Sequence, residues 1–75
     1  MPLDPEDISR LYRAHAPALL RFFARRTLQA EVAVDLVAET FAQALADRRR
    51  FRGRDDGEAL AWLFGIARHQ RAVSR

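Results

Sequence analysis

Apolar residues recur every three or four positions along most of this chain, which is the spacing of one face of an α-helix. The first stripe predicts a helix that starts with Asp4 as its N-cap and Pro5 at the first helical position, and that ends near Thr27 or Leu28. Because the stripe continues past Pro17, we expect a kink at that proline rather than a break. The stripe comprises Ile8, Leu11, Tyr12, His15, Leu19, Phe22 and Phe23.

A second stripe predicts a helix from about Glu31 to Arg48. Its apolar face comprises Val32, Leu36, Val37, Thr40, Phe41, Ala44 and Leu45. Its opposite face comprises Asp35, Ala38, Glu39, Ala42 and Gln43. Asp35 and Glu39 are four residues apart, so their like charges lie one turn apart and cost the helix a little stability. An ordinary solvated face explains such a pair, and so does a surface that docks a positively charged partner.

The residues from Asp47 to Gly57 are polar, rich in arginine and punctuated by glycine, which predicts a loop. A third helix is expected to begin between Asp56 and Glu58 and to run to the end of the chain. One face carries Ala59, Trp62, Leu63, Ile66, Ala67 and Gln70, and the other carries Ala61, Phe64, Gly65, Arg68, Arg71 and Ala72. Trp62 is expected in the core. Phe64 lies outside that stripe, so it either stacks on an unpaired base or caps the edge of the core.

Three helical segments without a strand pattern predict an all-α fold, a small three-helix domain that spans residues 1–75. A domain of this size buries a modest share of its surface, so its stability margin is thin. The sequence contains no cysteine, which excludes disulfides and thiolate sites and fits a reducing compartment. No apolar run approaches the roughly 18 residues of a membrane span, and the first residues are acidic where a secretory signal is basic. We therefore expect a soluble, cytoplasmic protein.

The net charge of +3 is unevenly distributed along the chain. Residues 1–47 carry five arginines against seven carboxylates, a net −2, whereas residues 48–75 carry eight arginines against three carboxylates, a net +5. Every cationic side chain among Lys and Arg is an arginine, which is a planar donor suited to phosphate contacts and to stacking on bases. The basic end is therefore the expected footprint of a nucleic acid.

Side chains suited to catalysis are too scattered to predict an enzyme. His15 and His69 lie on different predicted helices, and neither has a second histidine at the spacing of helical metal ligands. Ser9 and Ser74 lack a neighbouring histidine and acid, and the segment from Gly53 to Gly57 lacks the lysine and spacing of a phosphate-binding loop. We expect no enzymatic activity, no cofactor, no metal and no small-molecule substrate.

Three motifs in order resemble region 2 of the extracytoplasmic-function sigma factors, the small alternative sigma subunits of bacterial RNA polymerase. They are Asp-Leu-Val-x-Glu-Thr-Phe from Asp35, x-Arg-Phe-Arg-Gly ending at Gly53, and Ala-Trp-Leu-Phe-x-Ile-Ala-Arg from Ala61. The resemblance runs from about Ile8 to Arg75, and three motifs at matching separations are more specific than any one alone. It implies a role in transcription initiation as a promoter-recognition domain.

The resemblance also implies two binding surfaces. The second helix of the family docks on the clamp helices of the polymerase β′ subunit, and the matching positions are Asp35, Ala38, Glu39 and Gln43. Ala38 stands where the family commonly has glutamine. The arginine-rich loop matches the segment that shapes a pocket for a base flipped out of the minus-ten element, and the third helix follows the single-stranded non-template strand. The implied DNA-binding residues are Arg49, Arg50, Arg52, Arg54, Phe64, Arg68, His69 and Arg71, and family members often have asparagine where His69 stands.

Two further expectations follow from the resemblance. Family members normally carry a second helical domain, region 4, which reads the minus-thirty-five element, and the sequence does not contain it before its end at Arg75. We expect a fragment cut at the interdomain linker, although a natural short form fits the same sequence. An anti-sigma factor is a further expected partner, because in the family it covers the polymerase-binding and DNA-binding surfaces.

Two functions of other kinds compete with this interpretation. One is a helical protein-interaction module without nucleic-acid binding, whose Phe64, Leu60 and alanine-rich faces meet a partner helix, with a homodimer as one form. The other is a helix-turn-helix repressor that binds duplex DNA. The long loop between the second and third helices opposes the repressor, because that motif requires a turn of three or four residues.

Overall fold

The computed structural model describes residues 3–73 of the chain. Three α-helices follow one another as α1 (Pro5–Ala24), α2 (Ala30–Asp47) and α3 (Asp56–Val73). A single 3-10 turn, Arg48–Arg50, continues directly from α2. Residues 3–73 contain no β-strand, so the all-α, three-helix prediction is confirmed.

The N-terminus of α1 forms as the sequence predicts. Asp4 is the N-cap, its carboxylate accepts a hydrogen bond from the Asp7 amide at 2.9 Å, and the Asp7 carboxylate accepts one from the Asp4 amide at 3.0 Å. This reciprocal capping satisfies two amides that the helix leaves unpaired. Pro5 occupies the first turn, and α1 is continuous through Pro17. The bend at Pro17 stays a prediction.

The end of α1 differs from the sequence prediction, because the helix stops at Ala24 rather than near Thr27. The amides of Arg26 and Thr27 both donate to the Phe23 carbonyl, which closes a turn in place of another helical turn. Leu28 follows in that turn with a side chain fully exposed to solvent (103%). Leu28 is an apolar residue between α1 and α2, and it makes the helical pattern in the sequence longer than the helix itself.

The predicted stripe of α2 is confirmed at its centre and wrong at both ends. Its buried members are Ala33, Leu36, Val37, Thr40, Phe41 and Ala44. Val32 and Leu45, which the pattern placed in the core, are exposed. The Thr40 hydroxyl is buried and donates to the Leu36 carbonyl at 2.7 Å, so a polar side chain is accommodated in the core without an unpaired donor.

The helices run up, down and up, with α2 in contact with both of the others. Arg10 meets Asp56 near the start of α1 and α3, and Phe22 meets Phe64 further along both helices. These two contacts show that α1 and α3 are parallel. The core between the helices is centred on Leu11, Leu19, Phe23, Thr40 and Leu63, which are almost fully buried. No α-helix within residues 3–73 has the length and apolar character needed to cross a bilayer.

Candidate functional site

The connection between α2 and α3, residues 48–55, is organised around one buried aromatic ring. Phe51 is 5% exposed, and its ring lies 5.3 Å from the Trp62 ring on α3. A Cβ atom at Gly53 would overlap the Phe51 ring and crowd Glu58. No described residue other than glycine has a positive φ, and no described glycine has one either. Gly53 therefore serves to let the backbone approach the ring, rather than to adopt an unusual conformation.

Residues near the start of α1 hold both ends of this connection. At one end, the Leu3 amide donates to the Arg48 carbonyl at 3.1 Å. At the other, the Arg10 guanidinium donates to both carboxylate oxygens of Asp56, at 3.0 and 3.1 Å. The hydrogen bond to Asp56 is the main reason why the pKa of Arg10 is raised above its ordinary value. The connection is thus fixed at its two ends as well as at its centre.

Local capping also orders the start of α3. The Asp55 carboxylate accepts a hydrogen bond from the Glu58 amide at 2.9 Å, and the Glu58 carboxylate accepts one from the Arg54 amide at 3.1 Å. The first bond satisfies an amide that the first turn of a helix leaves unpaired, and the second ties the residue before the cap to the same turn. The prediction that residues 47–57 form a loop is therefore corrected at both ends, since a 3-10 turn extends α2 and α3 already begins at Asp56.

The arginines of the connection divide into two groups. Arg48 donates to the Leu45 carbonyl at 2.7 Å, and Arg52 donates to the Arg49 carbonyl at 2.8 Å and to the Phe51 carbonyl at 3.3 Å. Both guanidiniums are engaged with the protein backbone. Arg49, Arg50 and Arg54 are exposed, and their side chains make no hydrogen bond or ion pair with any described residue. Arg52 is exposed as well and holds the turn through one terminal nitrogen, so DNA binding by the four connection arginines stays a prediction.

The predicted DNA-binding residues of α3 lie on two sides of that helix. Phe64 is half-buried and packs edge-on against Phe22 of α1, with ring centroids 5.4 Å apart. It therefore caps the edge of the core, and its stacking on a base stays a prediction. Arg68 and Arg71 follow Phe64 at helical spacing on the α1 side. His69 is about 140° around the helix from Phe64 and faces α2 instead.

The side of α3 that faces α2 contains an open groove, the α2–α3 groove. It is lined by Gln43, Asp47, Trp62, Gly65, Ile66, His69 and Gln70. Gln43 donates to the Asp47 carboxylate at 2.7 Å across one turn of α2. Trp62 is only half-buried because one part of it contributes to this groove, while its ring also contacts Phe51. The expected core position of Trp62 is thus combined with partial exposure.

The acidic face of α2 is exposed and electrostatically unpaired. Asp35 and Glu39 make no ion pair or hydrogen bond through their side chains with any residue in the described range. Ala38 lies between them in the sequence and lines a groove between α1 and α2. Gln43 lines the α2–α3 groove, so the structure does not bring it alongside Ala38. Gln43 nevertheless follows Glu39 by one helical turn, about 40° around α2. Ala38 and Gln43 therefore lie at opposite edges of one surface, with the two carboxylates between them.

An apolar groove beside this acidic face was missed at the sequence level. The α1–α2 groove is lined by Tyr12, Ala16, Pro17, Leu20, Val34, Val37 and Ala38. Val34 is 54% exposed and Tyr12 is 49% exposed, although the Tyr12 ring also packs edge-on against Phe41 at 5.0 Å. Val34 precedes Asp35 on α2 and lies outside the core stripe. An apolar residue at such a position, next to the acidic pair, is the feature of the sequence that indicates this groove. Exposed apolar side chains in a groove are typical of a surface that binds another protein.

The carboxylates and imidazoles of residues 3–73 do not gather into a metal site. Within the described range, no group of three or more His, Asp or Glu side chains could hold a metal ion. Side-chain nitrogen and oxygen atoms that are buried in this part of the chain all have hydrogen-bond partners. The polar chemistry of the domain therefore lies at its surface.

Comparisons with known proteins agree with the motif resemblance. The family model "Sigma-70 region 2" matches residues 11–72. The chain is similar to the RNA polymerase sigma factor YlaC of Bacillus subtilis (strain 168), with 38% identity over 64 residues. That similarity covers 85% of this chain and 36% of the curated relative, so the chain spans about a third of the relative's length. A search of solved structures gave no significant match.

Proposed function

The chain belongs to the sigma-70 region 2 family, and from that premise we propose that it is the promoter-recognition domain of an alternative sigma factor. In this proposal the acidic face of α2 docks on the β′ clamp helices of bacterial RNA polymerase. The arginine-rich connection and α3 bind the single-stranded non-template strand of the minus-ten element. A soluble cytoplasmic location and possible regulation by an anti-sigma factor belong to the same proposal.

One observation carries the proposal: oppositely charged groups occupy separate, exposed surfaces without neutralising one another. Among the described residues, Asp35 and Glu39 on α2 have no cationic partner, and Arg49, Arg50 and Arg54 have no anionic partner. The ion pairs formed among residues 3–73 both belong to Arg10. Charged groups left unpaired in this way remain available to partners of opposite charge.

The polymerase side combines charge with apolar area. The α1–α2 groove offers Leu20 and Val34 beside Asp35, and Ala38 keeps the groove open because it is small. A partner helix would insert apolar side chains into the groove and place basic side chains against Asp35 and Glu39. Helix-in-groove recognition uses this combination of apolar anchors and flanking charges. The groove supports a helical partner with arginine or lysine at its edge.

The nucleic-acid side offers a fixed set of cationic groups. Because Phe51, Gly53 and the Arg10–Asp56 contact order the connection before any ligand arrives, Arg49, Arg50 and Arg54 lose little backbone freedom on binding. Opening a duplex costs about 1.4 kcal/mol per stacked step, and contacts to the separated strand offset part of that cost. The domain alone offers a small area, so we expect weak binding that tightens when polymerase holds both the strand and the domain.

The proposal is tested by measuring the two binding reactions separately. Fluorescence anisotropy would follow a labelled single-stranded library of about 12 nucleotides, and the same library made double-stranded. A second titration would use a labelled fragment that contains the clamp helices of a bacterial β′ subunit. We expect a preference for single strand over duplex and saturable binding of the clamp fragment. Preference for duplex, or no binding of the clamp fragment, would reject the proposal.

Charge reversal separates the polymerase surface from the rest of the domain. Asp35→Arg should abolish clamp binding and leave single-strand binding intact or slightly stronger. Glu6→Arg makes the same change of charge at an exposed position of α1 that lies outside the proposed surface, so it should leave clamp binding unchanged. Circular dichroism would verify that both variants remain helical. Equal clamp affinity for the two variants would exclude the acidic face as the docking site.

A further inference from the structure

Arginines from two different helices gather at the end of the domain opposite the connection. The Phe22 ring of α1 contacts the Phe64 ring of α3 edge-on at 5.4 Å, which joins the later parts of the two parallel helices. Around this aromatic contact the sequence supplies Arg21, Arg25, Arg26, Arg68 and Arg71. The sequence contains no carboxylate between Ile8 and Ala30 or from Ala59 onward. Neither helix therefore offers these arginines an acidic neighbour along this length.

One of these arginines has a structural role. The Arg26 guanidinium lies 4.0 Å from the centre of the Phe22 ring and donates to the Phe22 carbonyl at 2.9 Å. It thereby caps the C-terminal end of α1 and covers one face of the ring. Phe22 is consequently held between Arg26 and Phe64, and Arg26 is not counted among the groups available to a ligand.

The other two arginines of α1 lie on the flank that borders α3. Arg21 follows Arg10 by eleven residues, which is close to three full helical turns, and Arg10 contacts Asp56 of α3. Arg25 follows Arg21 by one further turn. Both are exposed, and their side chains make no hydrogen bond or ion pair within the described structure. Arg21 and Arg25 therefore lie on the same side of α1 as Arg10, next to α3.

Arg68 and Arg71 lie on the facing flank of α3. They follow Phe64 by four and seven residues, which places them on the side of α3 that Phe64 turns towards α1. Both are exposed, and neither side chain has a partner among the described residues. Two arginines from each helix thus border the Phe22–Phe64 contact. We call Arg21, Arg25, Arg68 and Arg71 the arginine ridge.

We propose that the arginine ridge binds the sugar-phosphate backbone of the same nucleic-acid strand that the connection binds, with Arg21 and Arg25 of α1 as phosphate contacts. The inference rests on the proposed function, to which it adds a second, sequence-independent contact on α1. The domain is 36 Å long, and the first half of α3 lies between the connection and the ridge. Only a strand long enough to follow α3 reaches both sets of arginines.

A purely structural explanation makes a different prediction. Cationic side chains near the C-terminal end of a helix interact favourably with its dipole, and Arg25 and Arg71 lie close to such ends. If that interaction were their only role, substitution would lower the melting temperature and leave the binding of long and short strands equally affected. If the arginine ridge binds the strand, substitution should weaken the binding of long strands more than the binding of short ones.

The experiment measures the salt dependence of single-strand binding by fluorescence anisotropy for oligonucleotides of about 5 and about 12 nucleotides. The variants are Arg21→Gln, Arg25→Gln and the double variant. The control is Arg13→Gln, which removes the same charge from a position beside Glu6 and Asp7, near the start of α1. Each lost phosphate contact lowers the slope of log K against log salt by about 0.7 for a single strand.

We expect the double variant to lose about 1.4 from the slope with the longer oligonucleotide. Raising the salt from about 50 to 200 mM should then weaken wild-type binding about sevenfold more than binding of the double variant. The shorter oligonucleotide and Arg13→Gln should show no comparable change. An unchanged slope with the longer oligonucleotide, or equal losses at both lengths, would overturn the ridge while leaving the proposed function standing. Absence of wild-type binding at either length would reject the proposed function, and the ridge with it.

Discussion

Arg10 joins the capping box of α1 to the first residue of α3. One terminal nitrogen of its guanidinium donates to both Asp56 oxygens at 3.0 and 3.1 Å, and the other donates to Asp7 at 3.3 Å. Asp7 is in turn hydrogen-bonded to the Asp4 amide. The start of α3, and with it the end of the arginine-rich connection, is therefore aligned by groups that belong to α1.

Removing this contact should loosen the connection more than it destabilises the domain. The pair is exposed to solvent, so it contributes little to global stability, yet it holds one end of residues 48–55. We expect Arg10→Gln and Asp56→Asn each to raise amide hydrogen exchange at residues 51–55 with little change in melting temperature. The double variant should exchange no faster than the faster single variant, since both remove one interaction. Additive increases would show that the two residues act independently.

Two glycine-to-alanine substitutions should have opposite effects on stability. Gly53→Ala places a methyl group on the Phe51 ring, and overpacking of this kind costs about 1–3 kcal/mol. Gly65→Ala adds a methyl group that meets nothing within 4 Å, and alanine in a helix interior is more favourable than glycine by about 0.5–1 kcal/mol. Urea unfolding of both variants measures the difference. Destabilisation of similar size at both positions would contradict the proposed role of Gly53.

The capping box of α1 should make stability depend on acid. The hydrogen bond from the Asp4 amide is the main cause that lowers the pKa of Asp7 below its ordinary value of 3.8, and Arg10 adds to it. A carboxyl group whose pKa is lowered by folding stabilises the native state above its unfolded pKa, and this contribution is lost as the pH falls through the folded pKa. Asp7→Asn should therefore melt below wild type at pH 7. The difference should shrink as the pH falls from about 5 to below 3.

Calorimetry or circular dichroism across that range provides the measurement for Asp7. Glu6→Gln is the matched control, because Glu6 is an exposed carboxylate in the same helical turn without the reciprocal hydrogen bond. The difference in melting temperature between Glu6→Gln and wild type should change less with pH than the difference for Asp7→Asn. A gap between wild type and Asp7→Asn that stays constant down to low pH would exclude the ionised carboxylate as the stabilising form.

Phe64→Leu should separate packing from base stacking. Leucine keeps apolar volume against the core but removes the edge-on ring contact with Phe22, so we expect a stability loss of about 0.5–1.5 kcal/mol. If the ring also stacks on a base, single-strand affinity should fall by about 1–3 kcal/mol at a temperature where the variant is fully folded. Anisotropy measured beside the unfolding curve gives both values. Unchanged affinity would restrict Phe64 to the core-capping role.

The helical architecture was accessible from the sequence because local signals and packing agree. Asp4 and Pro5 mark the start of α1 chemically, and the central members of the α2 stripe are the residues that are buried. The predicted helix ends and core positions are wrong where an apolar residue is exposed to solvent. The apolar pattern predicts that α1 continues to Leu28, but the side chain of Leu28 lies in solvent. The pattern also predicts that Val32 is buried, whereas the smaller Ala33 occupies the core. Hydrophobicity alone does not tell which of two adjacent apolar residues faces a neighbouring helix.

The sequence predicts the charge of the candidate surfaces, but not the contacts that their side chains make within the domain. The sequence indicates a cluster of arginines in the connection, yet only the folded turn reveals that Arg52 donates to the Arg49 carbonyl through one terminal nitrogen. Helical spacing places Gln43 one turn after Glu39, but the groove that it lines depends on the packing of α2 against α3. The α1–α2 groove requires two helices at once, so no pattern along a single helix predicts it.

The hydrogen bond from the Leu3 amide to the Arg48 carbonyl has a practical consequence for preparing the protein. A purification tag fused ahead of Met1 would join the chain two residues before Leu3, and Leu3 lines the same surface depression as Arg49. An acidic tag in this position would compete for the exposed Arg49 guanidinium and lower any nucleic-acid affinity measured there. Cleaving such a tag before titration removes that competition.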